Sequence, residues 1–219
     1  MYKYLALTLL LTGCFSAQAG VTVGATRVIY KAENKEASIN LHNDDKTPYL
    51  IQSWVEDKNR GVSSSFIITP PLFRLDAERE SKLRILLTDS ALPPDRESLF
   101  FLNIKAIPVR IKSQDNQLNI AVNSRMKLLY RPGTLSQEGA HDAYRQLQPR
   151  QEGNRLILHN PTPYVLSLHS VSIGKQIVQK SATVEPFSST SVTLSKSYTG
   201  KMSWQAIGDF GNVMETIIR

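Results

Sequence analysis

"LNIAVNSRMKLLYRP", residues 118–132, decides the fold. Leu118, Ile120 and Val122 alternate with Asn119, Ala121 and Asn123, the period of two that a strand with one apolar face requires. The run then turns apolar at Met126, Leu128, Leu129 and Tyr130, with one amine, Lys127, set among them. At about 3.3 Å per residue the distance from Leu118 to Lys127 is about 30 Å, enough to cross a small sandwich. Strict alternation puts Lys127 on the face opposite Leu118, Ile120 and Val122. A bulge near 123–125, or a long side chain reaching around the strand edge, would bring them together.

The residues before this strand repeat its character. "VTVGATRVIY" (21–30), "EASINLHN" (36–43), "YLIQSWVED" (49–57), "SSFIIT" (64–69), "SKLRILLT" (81–88) and "LFFLNIKAI" (99–107) are rich in Val, Ile, Phe and Thr and are separated by turn residues. No stretch sustains a 3.6-residue period. Seven such runs predict an all-β, immunoglobulin-type sandwich. Between Pro132 and Gln151 the pattern lapses into a polar, turn-rich connection, with "HDAYRQL" (141–147) as one short helical turn. Further short β-runs from Arg155 to Ile218 predict a second, smaller sandwich. The expected organisation is therefore a signal peptide over 1–19, a first domain over 20–138 and a second over 139–219, with a cleft between the two, where binding sites are common.

The leader rests on Lys3, the apolar run "LALTLLLT" (5–12) and "AQA" (17–19), a signal-peptidase pattern on a segment too short to span a bilayer. "LTGC" (11–14) also fits the pattern that precedes a lipid-modified cysteine, so Cys14 is either removed with the leader or lipidated. It is the one Cys in 219 residues, so the mature chain is expected to have no disulfide, thiol nucleophile or Cys-based metal site. About 200 residues bury enough apolar surface to fold without one. The net charge is +7, and one less once Lys3 is gone. Its basic residues are scattered without an aromatic-interleaved stripe, which argues against nucleic acid and for acidic partners.

Enzymatic motifs are missing. The four His (42, 141, 159 and 169) have no metal-ligand spacing, and neither a nucleophile elbow nor a phosphate loop occurs. Asp44, Asp45, Glu56 and Asp57 sit at strand ends as turn residues do. No cofactor is expected, and ATP is not.

Five stretches carry a family resemblance: "TRVIY" (26–30), "TPPLFRLD" (69–76), "LPPDRESLFFLNIKAIP" (92–108), "RMKLLYRP" (125–132) and "NPTPY" (160–164). In order and spacing they resemble the PapD-like periplasmic chaperones of the chaperone–usher pilus pathway. The resemblance implies two immunoglobulin-like β-sandwich domains in tandem, boomerang-shaped. It implies a periplasmic, ATP-independent chaperone that binds fimbrial (pilus) subunits by donor-strand complementation and delivers them to an outer-membrane usher. The short segment between Pro108 and Leu118 resembles the short-loop branch of the family.

By the same resemblance, Arg27 and Lys127 hold the subunit's C-terminal carboxylate. Leu118, Ile120 and Val122 enter the subunit's empty groove, although an alternating strand equally fits side chains filling this domain's own core. Glu97, Arg131 and Asp209 match a charged network joining the two domains. Whether the free chain caps its exposed strand as a self-associated oligomer stays open. One departure is the absence of the domain-two disulfide that many relatives carry. The competing readings are an exported pilus subunit or adhesin and a carbohydrate-binding β-sandwich. The first would be a single incomplete domain, usually with a Cys pair. The second would need an aromatic platform, which Trp54 and Trp204 in separate domains do not make.

Overall fold

The computed structural model describes residues 20–88, 91–109 and 119–219. Alternation explains the first sandwich. In β3 (Ala37–Asn43), Ile39, Leu41 and Asn43 are buried while Ser38 and Asn40 face solvent. In β4 (Tyr49–Glu56) the buried set is Ile51, Ser53 and Val55, and in β7 (Glu80–Leu87) it is Leu83 and Ile85. Each strand thus gives one face to a common core, as expected of antiparallel sheets with one solvated side.

The remaining strands of this sandwich are β1 (Val21–Val23), β2 (Arg27–Lys31), β5 (Phe66–Thr69), β6 (Leu72–Leu75), β8 (Ser98–Pro108) and β9 (Val122–Arg131). They form two sheets, β1-β3-β7-β5 and β2-β9-β8-β4-β6. Phe66, Phe100 and Tyr30 meet edge to face between them, with ring centroids 5.0 and 5.5 Å apart. The run read as one strand over 21–30 is in fact two. Gly24–Thr26 carries the chain from the first sheet to the second, and periodicity cannot show such a switch. The short β6 lay hidden in a stretch rich in Pro and charge.

Two pairings of β9 set up the site. With β8 it is antiparallel and continuous from Val122↔Ala106 to Tyr130↔Ser98, so no bulge occurs near 123–125. With β2 it is parallel but covers only Arg27↔Lys127 to Lys31↔Arg131. From Met126 back to Val122, the β2 side of β9 has no strand partner among the described residues.

The second sandwich consists of β10 (Gln148–Glu152), β11 (Arg155–Asn160), β12 (Leu166–Ile173), β13 (Gln176–Val184), β14 (Ser188–Thr193), β15 (Met202–Ala206) and β16 (Ile217–Ile218). Its sheets are β10-β11-β14 and β13-β12-β15-β16. The expected polar connection is more ordered than its composition implies. It holds helix α1 (Gln137–Ala143), capped by the Ser136 hydroxyl accepting from Gly139 N, and then β10. Ala143, Tyr144 and Leu147 pack into the second core beside Trp204, whose indole donates to Tyr144 O at 2.8 Å.

One device occurs in both sandwiches. Asn43 ends β3 fully buried; its amide donates to Thr47 O, Leu75 O and Asp76 O, and its Oδ1 accepts from Asp45 N. Asn160 ends β11 fully buried; its amide donates to Tyr164 O, Val184 O and Glu185 O, and its Oδ1 accepts from Thr162 N. Each amide tethers its own loop at i+4 to the end of a remote strand. Loop and strand-end carbonyls at the edge of each core are thereby satisfied.

Candidate functional site: the cleft between the sandwiches

Arg27 and Lys127 are direct partners in the parallel pairing of β2 and β9, so adjacent backbones hold the two cations together. Both side chains point to the second sandwich. The Lys127 ammonium donates to Ser167 Oγ and Thr183 Oγ1, each at 2.7 Å, and Arg27 donates from NH1 to Ile207 O at 3.1 Å. The Arg27 Nε is buried without a hydrogen-bond partner. Asp209 acts on Arg27 through its charge, but both of its oxygens are occupied by Arg131.

The electrostatics follow from this placement. Burial, and secondarily the charge of Arg27, push the Lys127 ammonium down to about 8. Burial also lowers Arg27, against a raising influence from Asp209. Two half-buried cations side by side, with their bonds among the described residues made to neutral oxygens, are chemically suited to an anion. Of the three donors of an ammonium, two are used here and one is left.

The strand leading to Lys127 presents the apolar residues on its other face. Ile120 is 66% exposed and Val122 59% exposed, whereas Met126 and Leu128 further along are buried in the first core. Ile120 and Val122 line a groove of 280 Å³ with Gly20, Val21, Val23, Tyr49, Ile104 and Ala106. It opens between the two sheets of the first sandwich. Leu118 lies outside the described residues. With no bulge, Lys127 faces the second sandwich and Ile120 and Val122 face the groove, so the two sets flank one strand rather than share a pocket.

Glu97, Arg131 and Asp209 come together across the domain junction. Arg131 donates from Nε to Glu97 Oε1 at 2.6 Å, and from NH1 and NH2 to the two Asp209 oxygens at 2.8 and 3.0 Å. The other Glu97 oxygen accepts from Val165 N at 2.8 Å, and its own N–H donates to Pro163 O. The Arg131 and Glu97 side chains are 2% and 1% exposed. Burial opposes the Arg131 charge, but the hydrogen bonds and charges of Asp209 and Glu97 outweigh it and raise the guanidinium. Burial raises Glu97, partly offset by Arg131. Nearby, Gly211 adopts a left-handed φ of 82° and lies so close to Thr26 that a side chain there would collide with it.

Ser167, Thr183 and the Ile207 carbonyl gave no signal in the sequence. Hydroxyl residues on alternating strands are common, and only the docking of the domains shows which of them meet Lys127. Beside the site, Arg125 stacks over Phe101 at 3.5 Å and bonds Glu56, which also accepts from the Trp54 indole. Among the described residues no cluster of His, Cys, Asp and Glu suits a metal ion, and no helix is long and apolar enough to cross a membrane.

Comparison with known proteins identifies the family and the fold. Residues 20–136 match the pili and flagellar-assembly chaperone family, PapD N-terminal domain, and residues 142–218 match the pili assembly chaperone PapD, C-terminal domain. The chaperone protein FimC of Escherichia coli K12 is 42% identical over 199 residues, covering 89% of this chain and 82% of FimC. Chaperone protein LpfB of Salmonella typhimurium is 38% identical, covering 94% and 91%. Among solved structures, the SafB chaperone in complex with SafA pilin of Salmonella enterica superposes with a TM-score of 0.83 at 32% identity, covering 94% of this chain and 98% of that one. The E. coli chaperone DraB gives 0.80 at 34% identity, covering 91% and 95%. With both domains matched in order and two sandwiches meeting at a cationic cleft, the chain belongs to the PapD family of pilus-assembly chaperones, which are not enzymes.

Proposed function

We propose that this chaperone works in the periplasm, takes the C-terminal carboxylate of a pilus subunit between Arg27 and Lys127, and lends β9 to the subunit's incomplete sandwich. Leu118, Ile120 and Val122 supply the side chains that enter the subunit, and the loaded complex passes to an outer-membrane usher. Capture of a terminal carboxylate and addition of a strand are both established recognition modes, and chaperone–pilin pairs are a known case of the second. The observation that supports this reading most is the register Arg27↔Lys127: two cations on adjacent strands, bonded among the described residues to neutral oxygens, at the end of a strand with an open edge.

The carboxylate fixes one end of the guest at Lys127, and from there the guest backbone runs along the unpaired side of β9 toward Val122. A single anchored end thereby sets the register of every later pair. Glu97, Arg131 and Asp209 act as a scaffold that holds the second sandwich, with Ser167 and Thr183, over the site.

The test is co-purification of pilus subunits with Lys127→Ala and Arg27→Ala. Each charge-assisted bond contributes about 1.5–3 kcal/mol, so either change should lower recovery by about ten- to a hundred-fold while the chaperone stays folded. Undiminished recovery with folded Lys127→Ala would show that the carboxylate is not held there.

A further inference from the structure

The start of the described chain meets a polar corner that the carboxylate site does not use. Pairing of β1 with β3 sets Val21 against Asn43, which brings Gly20 beside the loop after β3. The Gly20 carbonyl accepts from Asp44 N at 2.9 Å. A Cβ on Gly20 would stand 2.7 Å from the Tyr49 hydroxyl and 3.1 Å from Asp45 Oδ2, so these polar atoms crowd Gly20 on the side where a side chain would project. The Tyr49 hydroxyl donates to that same Asp45 oxygen at 2.5 Å, and this bond pushes the phenol up to about 12. Asp44 is otherwise engaged, accepting from the Thr22 hydroxyl and lying 3.1 Å from His42 Nε2.

The sequence places a signal-peptidase pattern, "AQA", at 17–19, immediately before this glycine. Hydrolysis of the Ala19–Gly20 bond adds the elements of water, leaving a carboxylate on Ala19 and an α-ammonium on Gly20. An amide with one hydrogen and no charge becomes a cation with three donors, beside a carboxylate held by a single hydroxyl. We propose that Asp45 and Tyr49 form the receiving site for this new α-ammonium, so that removal of the leader fastens β1 onto β3. Glycine suits the position because any side chain would displace Tyr49 or Asp45. The consequence reaches the groove, since Gly20, Val21 and Val23 line it together with Ile120 and Val122. This fastening belongs to the free chain and is independent of how pilus subunits are bound.

The test is a thermodynamic cycle on two purified chains, one beginning at Gly20 and one with Ser-Ala placed before it. Asp45→Asn keeps an acceptor for Tyr49 but removes the charge. It should lower the Tm of the Gly20 chain by about 2–4 °C, and that of the extended chain by less than half as much. Equal shifts in both, or none in the first, would overturn the proposal. Should the variant not fold, NMR titration of the α-amino group of the unaltered Gly20 chain decides. The proposal requires a value above the ordinary 7.7–8.0 or so, and an ordinary or lower one rejects it.

Discussion

Lys127 lies directly across from Arg27 on neighbouring strands of the first sandwich, yet its ammonium is bonded to Ser167 and Thr183 of the second. The proposed anion site is therefore a property of the domain junction and not of either sandwich alone. Whatever changes the angle between the domains changes the position of the charge.

Acidity should separate stability from capture. Lys127 titrates near 8 when folded, against 10.5 when free of its surroundings. Between these values the unfolded chain holds a proton that the folded one has lost, so this group makes stability rise with pH across the window and contributes no slope below it. The proposed carboxylate binding needs the ammonium and runs the other way. It should be pH-independent from about 5 to 7 and weaken about tenfold per unit well above 8. Titrating the affinity of a peptide that copies the carboxyl end of a pilin, with its amidated form as control, checks this; a slope shared by both peptides would mean that Lys127 is not its source.

Ile120→Asp should abolish the capture of pilins and leave this chain's own stability within about 0.5 kcal/mol, because the side chain is 66% exposed. Val122→Asp should do the same. Urea denaturation beside co-purification reads both quantities, and a large loss of stability would assign Ile120 to the chaperone's own core.

Arg131→Ala should cost about 3–5 kcal/mol, since it strands the Glu97 carboxylate in a buried junction with Val165 N as its remaining partner. Combining Glu97→Gln with Arg131→Met should cost clearly less than the single change. Small-angle scattering should show a broader distribution of interdomain angles for Arg131→Ala and not for a surface control such as Arg74→Ala.

Asn43→Ala and Asn160→Ala should each destabilise by about 1–3 kcal/mol, because each removes a fully buried amide that bonds three carbonyls at the edge of its core. The two effects belong to separate cores and should add. Double-variant unfolding free energies far from the sum would mean that the corners communicate.

The β character of both sandwiches was legible because alternation is a local property, and 37–43, 49–56 and 80–87 show it plainly. The pairing of Arg27 with Lys127 was legible only through family motifs, since residues a hundred positions apart carry no periodic signal. Where the chain leaves one sheet for the other at Gly24–Thr26 depends on layer packing and could not be read. A helical turn over 141–147 was expected, and helix occurs there, but it begins earlier, at Gln137, and is followed by β10. Both owe their order to burial of Ala143, Tyr144 and Leu147 against Trp204. Polar composition concealed that contact. The choice between a bulge and a reach-around was open in the sequence; the unbroken register with β8 excludes the first, and the bonds of Lys127 to Ser167 and Thr183 of the second sandwich exclude the second.

The crossing at Gly24–Thr26 has a mechanical meaning. A single short run of chain belongs to both layers of the first sandwich, β1 in one and β2 in the other, like a rivet through two plates. The layers cannot slide apart at that corner without pulling the rivet, so the mouth beside Val21 and Val23 has a set gauge. Any give in that mouth has to come from the opposite rim.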